Sequence, residues 1–377
     1  MRLSWQDLEL RPAQVWGGVR LVPVVRREPL EDLRLAVRSY SDDQSLAITA
    51  LDRRTSYIGY VPHGIVARWT KEGAAMVPAE TRIGRQELNQ DGPLLFLKRV
   101  ARREARDQLR MLPLHLAMEG YLALHFGGPT VARTCYSKRF LRRGLDPRME
   151  SVVRGVDLPG LDEALRVFEV HRGQCGLLIL IGEQLASATI VAHPDDYLAL
   201  HRTLLADFYG EIVHRFGWLE RRVPDFGVSL DGTDLDAIAA SLQAERHAWD
   251  QFTREWAAPI VDADVHATQV RKAGPYRLVR FATGWDEQEV VRDGEHLGEA
   301  MVHADGRIGY LRTYRLDRGQ VRRARILTDL HAHDWDLQAL ADAQGHGFIG
   351  RVVGDVQQSG LGWILNEQKV IEWTKQP

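Results

Sequence analysis

Cys175-Gly176-Leu177-Leu178-Ile179-Leu180-Ile181, then Gly182-Glu183, then Ala186-Ser187-Ala188-Thr189-Ile190-Val191-Ala192 is the stretch that decides the fold class. The first part is the longest apolar run in the chain, and its length is that of a strand rather than of a buried helix. A Gly-Glu turn and a second strand of small and β-branched residues follow it. Immediately afterwards Asp195 or Asp196 offers a cap for a helix reaching about His214. Strands beside an amphipathic helix, with no regular β-α alternation, predict an α+β protein.

Working towards the N-terminus, Gly18–Val25, Leu33–Tyr40, Ser45–Leu51 and Thr55–Val61 are rich in Val, Ile, Leu and Tyr and are separated by short polar breaks. They predict an antiparallel sheet over the first 80 residues or so. From about Leu94 the period looks helical, with Leu97, Val100, Ala101, Ala105 and Leu109 at three- and four-residue steps. Pro113 starts a second helix that Gly127-Gly128-Pro129 ends, a third runs from about Thr130 to Arg143, and Asp146-Pro147 opens a short fourth.

Working towards the C-terminus, residues 221–233 collect Pro224, Gly227, Gly232 and several Asp residues and read as a linker. An amphipathic helix over about Leu235–Trp256 comes next, then a β-rich stretch from His266 to Leu316 with a hairpin at Asp305-Gly306, then short helices. The expected architecture is an N-terminal α+β domain over residues 1–222, mainly antiparallel sheet with helices packed on it. A smaller β-rich and helical region over 233–377 follows, ending in a degenerate helix-turn-helix-like module at about 318–367.

Composition narrows the function classes. The 377 residues carry a net charge of -2, with 45% apolar and 27% charged side chains. That balance is ordinary for a globular protein and gives no chain-wide attraction to nucleic acid or to anionic membrane. No run of about 18 apolar residues is present, so no membrane span is expected, and the cytoplasm is the default compartment. Cys135 and Cys175 are too few for a structural zinc set and read as free thiols. Residues 227–232 lack the strand-to-helix glycine fingerprint of dinucleotide folds, and no Gly-Lys-Ser/Thr phosphate loop occurs, so no cofactor is expected.

Three strings point to chemistry. Ala192-His193-Pro194-Asp195-Asp196 looks like the zinc motif of the N-acetylglucosaminyl deacetylases, with His193 and Asp196 as ligands and Asp195 as base. Against it stands a plain helix start, where Pro fits an early position and acids complement the helix dipole. The zinc hydrolase is therefore an alternative reading. Trp335–Val353 resembles a Fis-type helix-turn-helix, but its second helix offers Arg351 alone among basic side chains and is weakened by Gly350 and Gly354. A DNA-associated regulator is the other alternative, and a packing or dimer module the simpler account. His331 and His333, beside Asp329 and Asp334, read as a solvated helix end.

The segment Leu112–Arg154 carries the most specific expectation. Its helix is apolar nearly all round, yet it holds His115 and Glu119 four residues apart on one face. An ionisable pair in such a setting must be paired, neutralised or open to a cavity. Arg133, Arg139, Arg142, Arg143, Arg148 and Arg154 follow, and the guanidinium is well shaped for bidentate phosphate binding. The segment is expected to line a pocket for a phosphate-bearing ligand. Arg142, Arg143 and Arg148 would grip phosphate, and Glu119 with His115 would contact a ribose or act as general base. An internal His-Glu hydrogen bond beside an Arg-decorated helix end is the bland alternative.

Several strings in a fixed order resemble one family. They are Ala13-Gln14-Val15-Trp16-Gly17-Gly18-Val19-Arg20-Leu21-Val22-Pro23, Tyr60-Val61-Pro62-His63-Gly64 and Met111-Leu112-Pro113-Leu114-His115-Leu116-Ala117-Met118-Glu119-Gly120. To these add His193-Pro194-Asp195-Asp196-Tyr197, the helix through Tyr209-Gly210-Glu211, and Gly360-Leu361-Gly362-Trp363-Ile364-Leu365. Together they resemble the ARG- and rhodanese-phosphatase-superfamily-associated protein (ARPP) domain family, its second class in particular. The resemblance implies an accessory role in bacterial NAD or ADP-ribose metabolism, beside ADP-ribosylglycohydrolases and rhodanese-type phosphatases as pathway partners. It brings no catalytic residues with it, so whether the protein is an enzyme stays open.

Overall fold

A computed structural model of the chain describes residues 1–35, 47–50, 56–60, 67–69, 75–76, 99–103, 109–111, 170–182, 184–204, 234–284 and 295–365. The hairpin foreseen around Gly182 is at its centre. β11 (Gln174–Ile181) pairs antiparallel with β12 (Gln184–Ile190), and all of β11 but Ile181 is buried. On its other edge β11 pairs with β3 (Val19–Arg26), from Gln174 against Val25 to Ile181 against Val19. Two short strands, β1 (Leu8–Leu10) and β2 (Gln14–Trp16), share the far edge of β3. Pro23 sits between them. Its carbonyl accepts from Arg11 N at 2.9 Å, so its ring nitrogen faces the gap between β1 and β2, where no ladder donor is required.

The C-terminal strands complete the same sheet. β13 (His266–Ala273), β14 (Tyr276–Ala282), β15 (His296–His303) and β16 (Ile308–Arg315) form an antiparallel meander. β16 then docks on β12, with Ser187 opposite Tyr314 and Ile190 opposite Leu311. The sheet has nine strands in the order β1-β3-β11-β12-β16-β15-β14-β13, with β2 beside β1 on β3. Strands from both sides of residues 221–233 thus lie in one sheet, and one contiguous apolar core runs from Leu3 to Leu361. The fold is α+β.

Five helices are described: α1 (Pro194–Leu204), α2 (Leu235–Trp256), α3 (Arg318–Ala332), α4 (Leu337–Ala343) and α5 (Ile349–Gln358). α2 occupies the predicted span and begins where the Asp234 side chain accepts from Asp236 N. α3 starts with a reciprocal capping box between Asp317 and Gln320. α2 is tied to the sheet through Arg20 of β3. The buried Arg20 guanidinium lies 5.3, 5.7 and 5.9 Å from the rings of Trp249, Phe252 and Trp256. Cation-π attraction there offsets part of the desolvation of the charge. The chain start follows the loop after α2: Leu3 N donates to Ala263 O and Trp5 Nε1 to Ile260 O.

Two expectations are corrected. The described residues of the predicted helix, 99–103 and 109, are not helical. β9 (Arg99–Arg103) and β10 (Leu109–Met111) occupy them instead, and β9 pairs with β6 (Ser56–Tyr60). The three- and four-residue spacing of small apolar residues is compatible with either period, and ladder pairing decides it. The N-terminal strands also do not make one sheet. β5 (Ala47–Ala50), β6, β9 and β10 form a four-stranded sheet, and β4 (Leu33–Leu35), β7 (Ala67–Trp69) and β8 (Ala75–Met76) a three-stranded one. The expected helices within residues 112–154 lie outside the described residues.

At the C-terminus, α4 and α5 are joined by a short turn in which Gly345 and Gly347 adopt φ of 71° and 56°. Leu340, Ala341, Val352 and Val356 face inward, while Arg351 is exposed. Among the described residues, no helix is long and apolar enough to cross a membrane.

Candidate functional site

The His-Pro-Asp-Asp string begins α1. Pro194 is the first helical residue, which places Asp195 and Asp196 in the first turn, where negative charge is favoured. Asp195 is exposed. Asp196 points inward and is 1% exposed. Arg34 of β4 holds it from both Nε, at 3.1 and 3.2 Å, and Nη2, at 2.9 Å, while Leu35 N donates to Oδ2 at 2.8 Å. Both carboxylate oxygens are therefore engaged. His193 Nδ1 accepts from Asp195 N at 3.2 Å, and Nε2 lies 3.5 Å from Glu31 Oε1. The string fastens α1 to β4, a structural duty that competes with metal binding for the same atoms.

A test follows from that geometry. Asp196→Asn should lower the unfolding free energy by about 2 kcal/mol, the scale of hydrogen bonds to a charged group, with no accompanying loss of metal. Urea unfolding and elemental analysis of both proteins read this out. About one zinc per wild-type chain, lost in His193→Ala, would restore the deacetylase-like alternative.

A second place in the fold has the shape of a site. A cleft of about 710 Å³ opens between three segments. Leu10 ends β1, Arg11 and Pro12 come from the loop joining β1 to β2, and His171 and Arg172 from the turn that enters β11. Arg246, His247, Trp249, Asp250 and Thr253 line it from one face of α2, at the spacing of successive helical turns. The volume is that of a small-molecule pocket.

Local structure explains how each group is presented. Gly173, at φ 79°, turns the chain so that its carbonyl accepts from Arg26 N, which holds His171 and Arg172 at the mouth of the strand. Gln174 closes the same turn, its Oε1 accepting from His171 N at 3.0 Å. Thr253 Oγ donates back to Trp249 O at 2.8 Å within the helix. Asp250, the carboxylate in the described lining, is matched by Arg254 at 2.9 Å. Arg11 lies 3.2 Å from Glu9. Arg172 and Arg246 are exposed, and among the described residues neither faces a carboxylate within ion-pair distance. The cleft is a cationic concavity with a half-buried aromatic ring.

Other reactive groups are put to structural use. Burial pushes the Cys175 thiol up to about 11, so at neutral pH it is a protonated core side chain. His333 Nδ1 lies 2.8 Å from the Asp329 carbonyl, and no group of three metal-binding side chains occurs among the described residues. His115, Glu119, Arg142, Arg143 and Arg148 lie outside the described residues. Nothing in the sequence pattern singled out the cleft residues, since each of their three segments is locally unremarkable.

A family model, ARPP-2, matches residues 3–274, well over half of the chain. The chain belongs to the ARPP-2 family. The matched region contains every segment that lines the cleft and runs through α2 into β13. No curated protein and no solved structure gives a significant match. The remaining ARPP-2 resemblance, in the segment around Gly360–Leu365, lies beyond the matched residues.

Proposed function

We propose that this ARPP-2 protein is an accessory protein of NAD or ADP-ribose metabolism that binds a phosphate-bearing nucleotide in the cytoplasm. Its partners would be ADP-ribosylglycohydrolases or rhodanese-type phosphatases of the same pathway. The observation that carries the reading is the cationic cleft: Arg11, Arg172 and Arg246 line a concavity of nucleotide size, Arg11 beside Glu9, and the acid in its described lining is matched by Arg254. Family membership supports it, because that is the context the ARPP resemblance implies. On sequence grounds Arg142, Arg143 and Arg148 are proposed as further phosphate contacts, with Glu119 and His115 as the groups that would contact a ribose or move a proton.

Calorimetric titration of the full chain with ADP-ribose and NAD tests this. The wild type should bind at least one of them. Arg148→Ala and Glu119→Gln should each weaken binding about tenfold or more, the scale of one charge-assisted contact. No heat of binding for either ligand to folded protein would end the NAD and ADP-ribose reading. Unchanged affinity in both variants would remove residues 112–154 from the site.

A further inference from the structure

The cleft differs from a generic basic surface in three respects. Its cations come from separate segments, Arg11 before β2, Arg172 before β11 and Arg246 on α2, so they surround a volume instead of lying along one face. The acid in its described lining, Asp250, is already paired within the helix, with Arg254. Its lining includes Trp249, half-buried, whose ring lies 5.3 Å from the Arg20 guanidinium. Inorganic phosphate alone would leave most of about 710 Å³ empty.

We infer that the cleft between the β1–β2 loop, the turn before β11 and α2 holds a nucleoside diphosphate or an ester of one, with Arg172 and Arg246 on the diphosphate and Trp249 against the base. This rests on the phosphate-ligand reading above and names the residues and ligand class at that site. Two adjacent phosphates carry enough charge to engage two guanidinium groups at once, and each fork can take two oxygens. An aromatic wall complements a flat base without a hydrogen-bond code. Arg172 and Arg246 are exposed and pack no core, so removing their charge leaves the fold intact.

The test is calorimetry of the full chain with pyrophosphate, ADP and adenosine. Pyrophosphate and ADP should bind one per chain, ADP the tighter, and adenosine should give no heat. Arg172→Gln and Arg246→Gln should each weaken pyrophosphate and ADP about tenfold. Asp250→Asn, which frees Arg254, should tighten both several-fold, a change of sign that loss of structure would not produce. Trp249→Leu should lower the advantage of ADP over pyrophosphate. Wild-type affinity in both arginine variants, or adenosine binding as well as ADP, would overturn the assignment. If ADP-ribose and NAD fail to bind while pyrophosphate and ADP behave as stated, the metabolic reading falls and the site stands. If ADP-ribose binds both arginine variants as it binds wild type, the site falls and the reading stands.

Discussion

Gly176→Ala should remove about 3 kcal/mol of unfolding free energy, the upper range for overpacking a core. Gly176 lies in β11 opposite Ile190 of β12. A Cβ there would sit 2.5 Å from the Thr189 carbonyl oxygen and 3.1 Å from Ile190 Cα. Neither is the free end of a flexible side chain, so the hairpin itself would have to open. Gly298→Ala meets the same kind of obstacle, 2.6 Å from the Arg312 carbonyl and 2.3 Å from the Phe281 ring. Gly354, inside α5, has no atom within 4 Å of its Cβ position, and Gly354→Ala should stabilise by up to about 1 kcal/mol through helix propensity. Urea unfolding of the three variants gives the comparison. A Gly176→Ala protein as stable as Gly354→Ala would mean the central ladder is not packed as described.

Acid should destabilise the protein through histidines kept neutral by burial. His296 at the start of β15 is held down to about 3 by burial and then by the Arg315 charge, and His201 of α1 down to about 4 by burial. In the unfolded chain both titrate near 6.5. Above that pH neither state is charged and stability does not depend on them. As pH falls below about 6.5 the unfolded chain gains protons that the folded one refuses, so stability is lost progressively towards pH 4 for His201 and pH 3 for His296. At about 1.4 kcal/mol per pKa unit, the loss reaches about 3 kcal/mol at each site by pH 4. Carboxylates add an acid response of their own, so the decisive measurement is the difference between wild type and His296→Leu. The variant should lose markedly less stability between pH 7 and pH 4, and identical losses in the two proteins would refute the role given to His296.

The elements that the sequence made legible are those whose pattern is local. The apolar run at Cys175–Ile181, the β-branched run in β3 and the amphipathic period of α2 each declare themselves within a dozen residues. What the sequence hid is partnership. Nothing in β12 announces that its outer edge will take β16, and nothing in residues 99–103 outweighs their helix-like spacing until β6 is beside them. The cleft was hidden for the same reason. Arg11, Arg172 and Arg246 are ordinary surface residues until the sheet brings three distant segments to one cleft. Asp196 was legible as part of a helix start. Its true partner, Arg34, sits in another sheet and could not be read from the string around it.

The strand order also sets a timetable during synthesis. β3 acquires β1 and β2 on one edge as soon as it is made, but its other edge belongs to β11. At about 5–20 residues per second, the roughly 150 residues between Arg26 and Gln174 keep that edge waiting many seconds on the ribosome. β12 in turn waits for β16 through a further stretch of more than 100 residues. During both intervals a nascent chain displays an unpaired, apolar strand edge, the surface most prone to pair with a neighbouring copy. Chains cut short before Gln174 should therefore accumulate as aggregates, and this protein should depend on holding chaperones during translation more than a helical protein of the same length.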